Sequence, residues 1–389
     1  MTERFCPQRR ADIDWLRVLA FSLLILYHAG MPYVEWGWHV KNAEHWSALQ
    51  EIMRFVNRWR MPLIFLIAGA TIMISLGRRG AGAFVLDRLK RLLLPLGFGM
   101  LVLVPPQIYF ERRQQGRFEG SFLDFLPQAF DGVYPAGNLS WNHLWFLAYV
   151  LALTLALLPL LLWMRSDKGA ATLDRWSAVV ARWHLVPLMA LPLFASQFGL
   201  QPVSENRNGL WGDWHGLAFH GALLLFGALL YRNRDLMAWL ERARHGALAA
   251  GVICFAVLET TFFAAGPIRP GGPEWLAYSA LSAANLTAWL IAITGYARRF
   301  ARPARFLRIA TPAVYPFYIL HQTVAVIAAF YLTQTSLAVP GKYFATVVLT
   351  FLGTGLVYEL AVRRLGVLRL LFGMAPQLAA APKVSPEPA

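Results

Sequence analysis

Arg17 and His28 stand eleven residues apart in one apolar run, Asp14-Trp-Leu-Arg17-Val-Leu-Ala-Phe-Ser-Leu-Leu-Ile-Leu-Tyr-His28. On a helix, eleven residues is close to three full turns, so the two side chains share a face, roughly 16 Å apart along the axis. A cation and a titratable ring are costly inside such a helix and are seldom kept there without a partner or a task. Imidazole transfers protons near neutral pH, which makes His28 a candidate general base or nucleophile. A neutral histidine bonded to a backbone carbonyl is the structural alternative. Arg17, near the start of the run, is either a snorkelling anchor with its head among lipid phosphates or a support for an anionic substrate.

Other polar sets fall around the remaining apolar runs. Arg78, Arg79, Arg88, Lys90 and Arg91 precede Pro95. Arg88 and Arg91 are three apart and share a helix face. They could clamp a phosphate-rich ligand, for which the planar guanidinium is suited, or serve as topology signals. Trp36, Trp38, His39, Asn42 and Trp46 fill one loop, Arg54, Arg58 and Arg60 lead into the second run, and His143 and Trp145 open the fourth. Asp213, Trp214 and His215 open the sixth. Tryptophan at this depth is an aromatic belt; mixed with His, Asn and Arg it also has the chemistry of a sugar-binding surface. Glu259, His321, Gln322 and Glu359 lie inside later runs, where each could be a helix-packing contact. His321 competes with His28 as a base. The sequence carries no metal-ligand spacing, no Gly-rich nucleotide loop and no serine in a nucleophile elbow.

Membrane-spanning elements must position these residues. The 389-residue chain is 57% hydrophobic and 15% charged, with a mean hydropathy of +0.46. Soluble domains carry about 25% charged residues, so the composition predicts an all-α polytopic membrane protein. Ten apolar runs are expected at 14–33, 53–76, 92–109, 143–163, 185–200, 214–231, 247–265, 278–296, 313–331 and 344–362. An even number puts both termini on one side. With the N-terminus inside, 25 of the 36 Lys and Arg residues fall on the inner side, 10 on the outer side, and Arg17 within the first run. That asymmetry is the positive-inside pattern and predicts cytoplasmic termini. The net charge of +15 thus orients the protein and meets anionic lipid heads, and nucleic acid is not an expected partner. Cys6 and Cys254 lie in a tail and in the seventh run, so no disulfide is expected. Asp12, Asp14 and Arg17 argue against a cleavable signal peptide. The expected organisation is a tail 1–13, one membrane domain 14–374 without a convincing internal repeat, and a disordered Ala/Pro-rich tail 375–389.

The Arg17–His28 spacing resembles the signature of the acyltransferase 3 family of integral-membrane acyltransferases. Further segments are similar: Arg60-Met-Pro-Leu-Ile-Phe-Leu-Ile-Ala-Gly69, Arg88-Leu-Lys-Arg91-Leu-Leu-Leu-Pro95, His143-Leu-Trp-Phe-Leu147 and Tyr318-Ile-Leu-His321. Trp38-His39-Val40 with Asn42-Ala-Glu44, and Tyr358-Glu359 with Leu371-Phe-Gly, resemble the branch called glucans biosynthesis protein C. The resemblance implies a multi-pass protein of the bacterial inner membrane. It implies transfer of an acyl group, succinyl or acetyl, from cytoplasmic acyl-CoA to a hydroxyl of a periplasmic or cell-surface carbohydrate such as an osmoregulated periplasmic glucan. No tightly bound cofactor and no metal are expected. Carried over by residue, His28 and Arg17 are catalytic, Arg88 and Arg91 with Arg17 hold the coenzyme, and His39, Arg60, His143 and Trp38 meet the acceptor. If the acyl group is succinyl, Arg60 is the candidate cation for its carboxylate. A transporter or flippase of a glycan or lipid-linked substrate is the competing class.

Overall fold

The computed structural model describes residues 10–77, 80–230, 232–264, 266 and 268–374. The expected tails therefore lie largely or wholly outside the described residues, as do Cys6, Arg78 and Arg79. The protein is 78% helical, and the described residues contain no strand, only an isolated bridge between Val133 and Leu139.

Each of the ten expected apolar runs centres on a helix. They are α1 (Ala11–Tyr33), α2 (Ser47–Leu76), α3 (Ala81–Gln114), α4 (Asn142–Ala156 and Leu158–Arg165), α5 (Val186–Val203), α6 (Trp214–Leu230), α7 (Arg234–Phe263), α8 (Pro273–Phe300), α9 (Arg305–Leu332) and α10 (Val339–Val362). Eight are individually long and apolar enough to cross a membrane. The two parts of α4 meet at 59° and together form a ninth such segment. Pro159, in the first turn of the second part, has no N–H to continue the helix, which accounts for the bend. α6 is shorter, at 17 residues. Several helices outrun their apolar stretches. α3 begins at Ala81, so Arg88 and Arg91 stand on a helix rather than in a loop. Hydropathy registers only the lipid-facing portion; the polar turns continue the backbone ladder beyond it.

α9 lies at the centre: 72% of its apolar window is buried, against 17% for α5 and α7 and 28% for α10. α1 packs against α9, α10, α2 and α8. α2 crosses α6 at very close range. A Cβ built on Gly69 would fall 1.9 Å from the Leu224 carbonyl oxygen, and one on Gly227 would fall 1.8 Å from that of Leu66. Small residues permit such approach, which in lipid supplies the packing that hydrophobic exclusion cannot. The buried centre is built from Phe65 and Leu66 of α2, Leu144 and Leu147 of α4, Leu224 of α6, and Tyr318 and Ile319 of α9. This layout sets the last turns of α1 beside the middle of α9.

Candidate active site

His28 Nδ1 lies 2.8 Å from His321 Nε2, and the two rings stack at 5.1 Å with an 8° angle between planes. His321 is fully buried. Its Nδ1 faces the carbonyl oxygens of Tyr318 at 2.6 Å and Phe317 at 3.2 Å. An atom facing two acceptors must carry the proton, so His321 Nε2 holds the lone pair. His28 Nδ1–H then donates to it, and His28 Nε2 is left as the basic nitrogen. A base aligned by a second group, itself held by backbone carbonyls, is the arrangement that proton-transfer catalysts share. His321, expected as the rival of His28, is its partner.

His143 joins this pair. Its ring stands edge-on to His321 at 5.3 Å. Nε2 is 3.1 Å from the Ile319 carbonyl, to which it donates. Nδ1 therefore has the lone pair, and it is buried without a hydrogen-bond partner. The Tyr318 hydroxyl donates to the His143 carbonyl at 2.6 Å, fixing the start of α4 against α9. Asn142 takes a left-handed φ of 41° at this junction, a conformation asparagine tolerates better than most residues.

Gln322, the neighbour of His321, faces a second network. His39 Nδ1 bonds the Glu111 carboxylate, and His39 Nε2 accepts from Gln322 at 3.2 Å. Both ring nitrogens of His39 are thus occupied by protein groups. Gln322 also donates to Gln107 at 3.0 Å, as does Asn142, and Gln107 donates to Thr323 at 2.9 Å. Trp38 is half-buried with its ring 5.5 Å from that of His39. Lys41 ties down the same loop by donating to the carbonyls of Met31, Val34 and Trp36. Burial pushes its pKa down to about 8, with Glu35 opposing, so at neutral pH the ammonium retains a proton for each carbonyl. Glu111 and Gln107 were not singled out from the sequence. Their signal was present: two polar residues four apart at the end of an apolar run share one face.

Arg60, at the turn that divides α2, is only 6% exposed. Its guanidinium carbon sits 3.5 Å from the Tyr27 ring centroid. Of the neighbouring arginines, Arg54 is ion-paired, while Arg58 has neutral partners and a buried Nη2 without one. Arg54 pairs with Glu259 at 2.8 Å, and Arg58 packs over Phe263 and bonds the Tyr278 hydroxyl. Glu259, inside the seventh run, is thereby a contact between helices, whereas Glu359 pairs with Arg363 one turn further along the chain at an exposed position.

The remaining candidates gather at the other end of the bundle. Arg17 donates to the Thr71 hydroxyl at 2.8 Å and lies 3.8 Å from Asp14. Arg88 bonds Ser75 at 3.4 Å and Asp87 at 2.9 Å, and Arg91 bonds the same Asp87. Thr71 and Ser75 are one turn apart on α2, so Arg17 and Arg88 touch the same stripe. Arg88 Nε is buried without a hydrogen-bond partner. The sequence-derived candidates thus separate into two groups, a histidine centre near one end of α1 and an arginine cluster near the other.

No curated protein and no solved structure matches the chain. The acyltransferase 3 family, described as an acyltransferase domain, matches residues 10–359, a span that takes in both groups. The chain belongs to the acyltransferase 3 family of membrane acyltransferases.

Proposed function

We propose that the protein moves a succinyl or acetyl group from cytoplasmic acyl-CoA to a hydroxyl of a periplasmic or cell-surface carbohydrate, in the manner expected of the glucans biosynthesis protein C branch, with His28 as base. The observation that carries this reading is the His28–His321 pair, which leaves one basic imidazole nitrogen in a fixed direction. The arginine cluster supports a donor at the opposite end of α1, since Arg17, Arg88 and Arg91 offer cations to coenzyme phosphates. The pantetheine arm spans the roughly 16 Å between Arg17 and His28.

In the direct route, His28 Nε2 takes the proton of the acceptor hydroxyl as its oxygen forms the bond to the thioester carbon. The carbon–sulfur bond then breaks, and the leaving thiolate takes the proton back from His28. His143 Nδ1, a bare buried acceptor, orients a hydroxyl of the acceptor. Trp38 supplies an apolar face for a sugar ring. In the variant route His28 itself carries the acyl group, which predicts exchange of label between acyl-CoA and CoA without acceptor.

The test incubates purified protein with labelled acyl-CoA and a periplasmic glucan oligosaccharide. Wild-type protein is expected to release CoA and yield labelled ester, and His28→Ala to yield none while inserting and folding normally. Undiminished ester in His28→Ala would overturn the assignment. Translocation of the oligosaccharide by wild-type protein without ester would point to the transporter class.

A further inference from the structure

Arg60 has no permanent counter-charge. Nη2 makes a long contact of 3.4 Å to Asn57, while Nε and Nη1 are buried without hydrogen-bond partners. Among the described residues no carboxylate comes within ion-pair reach of it. Buried charges are ordinarily paired, because an isolated one forfeits its hydration. The Tyr27 ring beneath the guanidinium offsets part of that loss. Arg54, in the same helix, is paired with Glu259, so a carboxylate partner was available to this segment and Arg60 lacks one.

Position supplies the reason. Tyr27 precedes His28, and their rings are 5.9 Å apart. The guanidinium and the His28 ring therefore both neighbour the Tyr27 ring. A cation without a resting counter-charge suits a negative charge that exists only during reaction, since catalysis rewards contacts made in the transition state alone. Acyl transfer creates such a charge. When the acceptor oxygen bonds the thioester carbon, the carbonyl electron pair moves onto oxygen while the hydroxyl proton moves to His28. When the pair returns, the carbon–sulfur bond breaks and the thiolate is released.

We propose that Arg60 is a catalytic residue that donates from its free N–H groups to the acyl carbonyl oxygen and stabilises the tetrahedral oxyanion. The assignment rests on the reading of His28 as the acyl-transfer base, and His28→Ala is assayed in parallel to keep the two separable. It requires nothing of the acyl tail, so an acetyl donor suffices to reveal it.

Arg60→Gln is expected to lower kcat with acetyl-CoA by about 10²–10³-fold, the loss typical of a removed oxyanion donor, with KM for acetyl-CoA little changed. A kcat within about threefold of wild type would overturn the proposal. So would a loss confined to succinyl-CoA, which would make Arg60 a carboxylate receptor instead. If His28→Ala is also active, the reading of His28 fails first; if only Arg60→Gln is active, Arg60 alone is misassigned. Arg60→Lys, which keeps the charge, covers the case in which Arg60→Gln does not fold. Wild-type protein is expected to bind a fluoroketone analogue of acetyl-CoA, which hydrates to a tetrahedral diol, at least tenfold more tightly than acetyl-CoA. Arg60→Lys is expected to lose most of that preference, and an unchanged preference would overturn the proposal.

Discussion

The His28–His321 contact turns two separately ambiguous histidines into a directed pair. Each alone has a structural explanation as a neutral ring on a carbonyl, and His321 indeed bonds two carbonyls. Those bonds fix its proton, and that in turn fixes the proton of His28. With His28 as the proposed base, His321 takes the part of a positioning residue. Its removal is expected to act through His28, not beside it. His321→Ala should lower kcat by about 10²–10⁴-fold, the range for a positioned acid–base group, with KM for acyl-CoA little altered. The double variant His28→Ala/His321→Ala should be no worse than His28→Ala alone. Independent, multiplicative losses in a kinetic cycle would show that the two do not act as a unit. His28 was legible from its depth in an apolar run and its spacing from Arg17. Its partner was not, because residues 293 apart in sequence meet only through the packing of α1 on α9. His39 looked available for the same reason: its blocking partners Glu111 and Gln322 stand on two other helices.

At the scale of elements, the close crossing of α2 and α6 carries the clearest expectation. Gly227→Ala would press a methyl group into the Leu66 carbonyl, 1.8 Å away, and that carbonyl is helix backbone that cannot yield. A destabilisation of about 1–3 kcal/mol is expected, read as a lower thermal transition in detergent. Gly97→Ala meets no atom within 4 Å. It should be neutral or stabilising by up to about 1 kcal/mol, from helix propensity alone. Equal behaviour of the two variants would contradict the packing. The helices themselves were largely readable, because an apolar run of about 20 residues has few alternatives in lipid. Their ends were not. The turn at Arg58–Trp59, the bend before Pro159 and the helical continuation through Arg88 and Arg91 depend on polar residues that hydropathy ignores. Those residues are also the ones that bear the candidate chemistry.

For the whole molecule, the useful fact is polarity: histidines near one end of α1 and arginines near the other. The charge count along the chain predicts which end meets the cytoplasm. Reporter domains fused at the N-terminus and after the last residue are both expected to report a cytoplasmic location. A periplasmic report from the N-terminus would reverse the donor and acceptor faces and remove the role given to Arg88 and Arg91, and one from the C-terminus alone would contradict the even number of spans. The separation of His28 from His321 also bears on how the protein is made. Ribosomes add about 5–20 residues per second, so His28 waits on the order of a quarter to one minute before its partner is synthesised. Throughout that interval a chain already inserted in the membrane holds an unaligned base. With His28 as the proposed base, acyl-transfer competence is expected only once α9 enters the bundle. On that reading, chains that reach the bilayer without α9 are expected to show no acyl transfer.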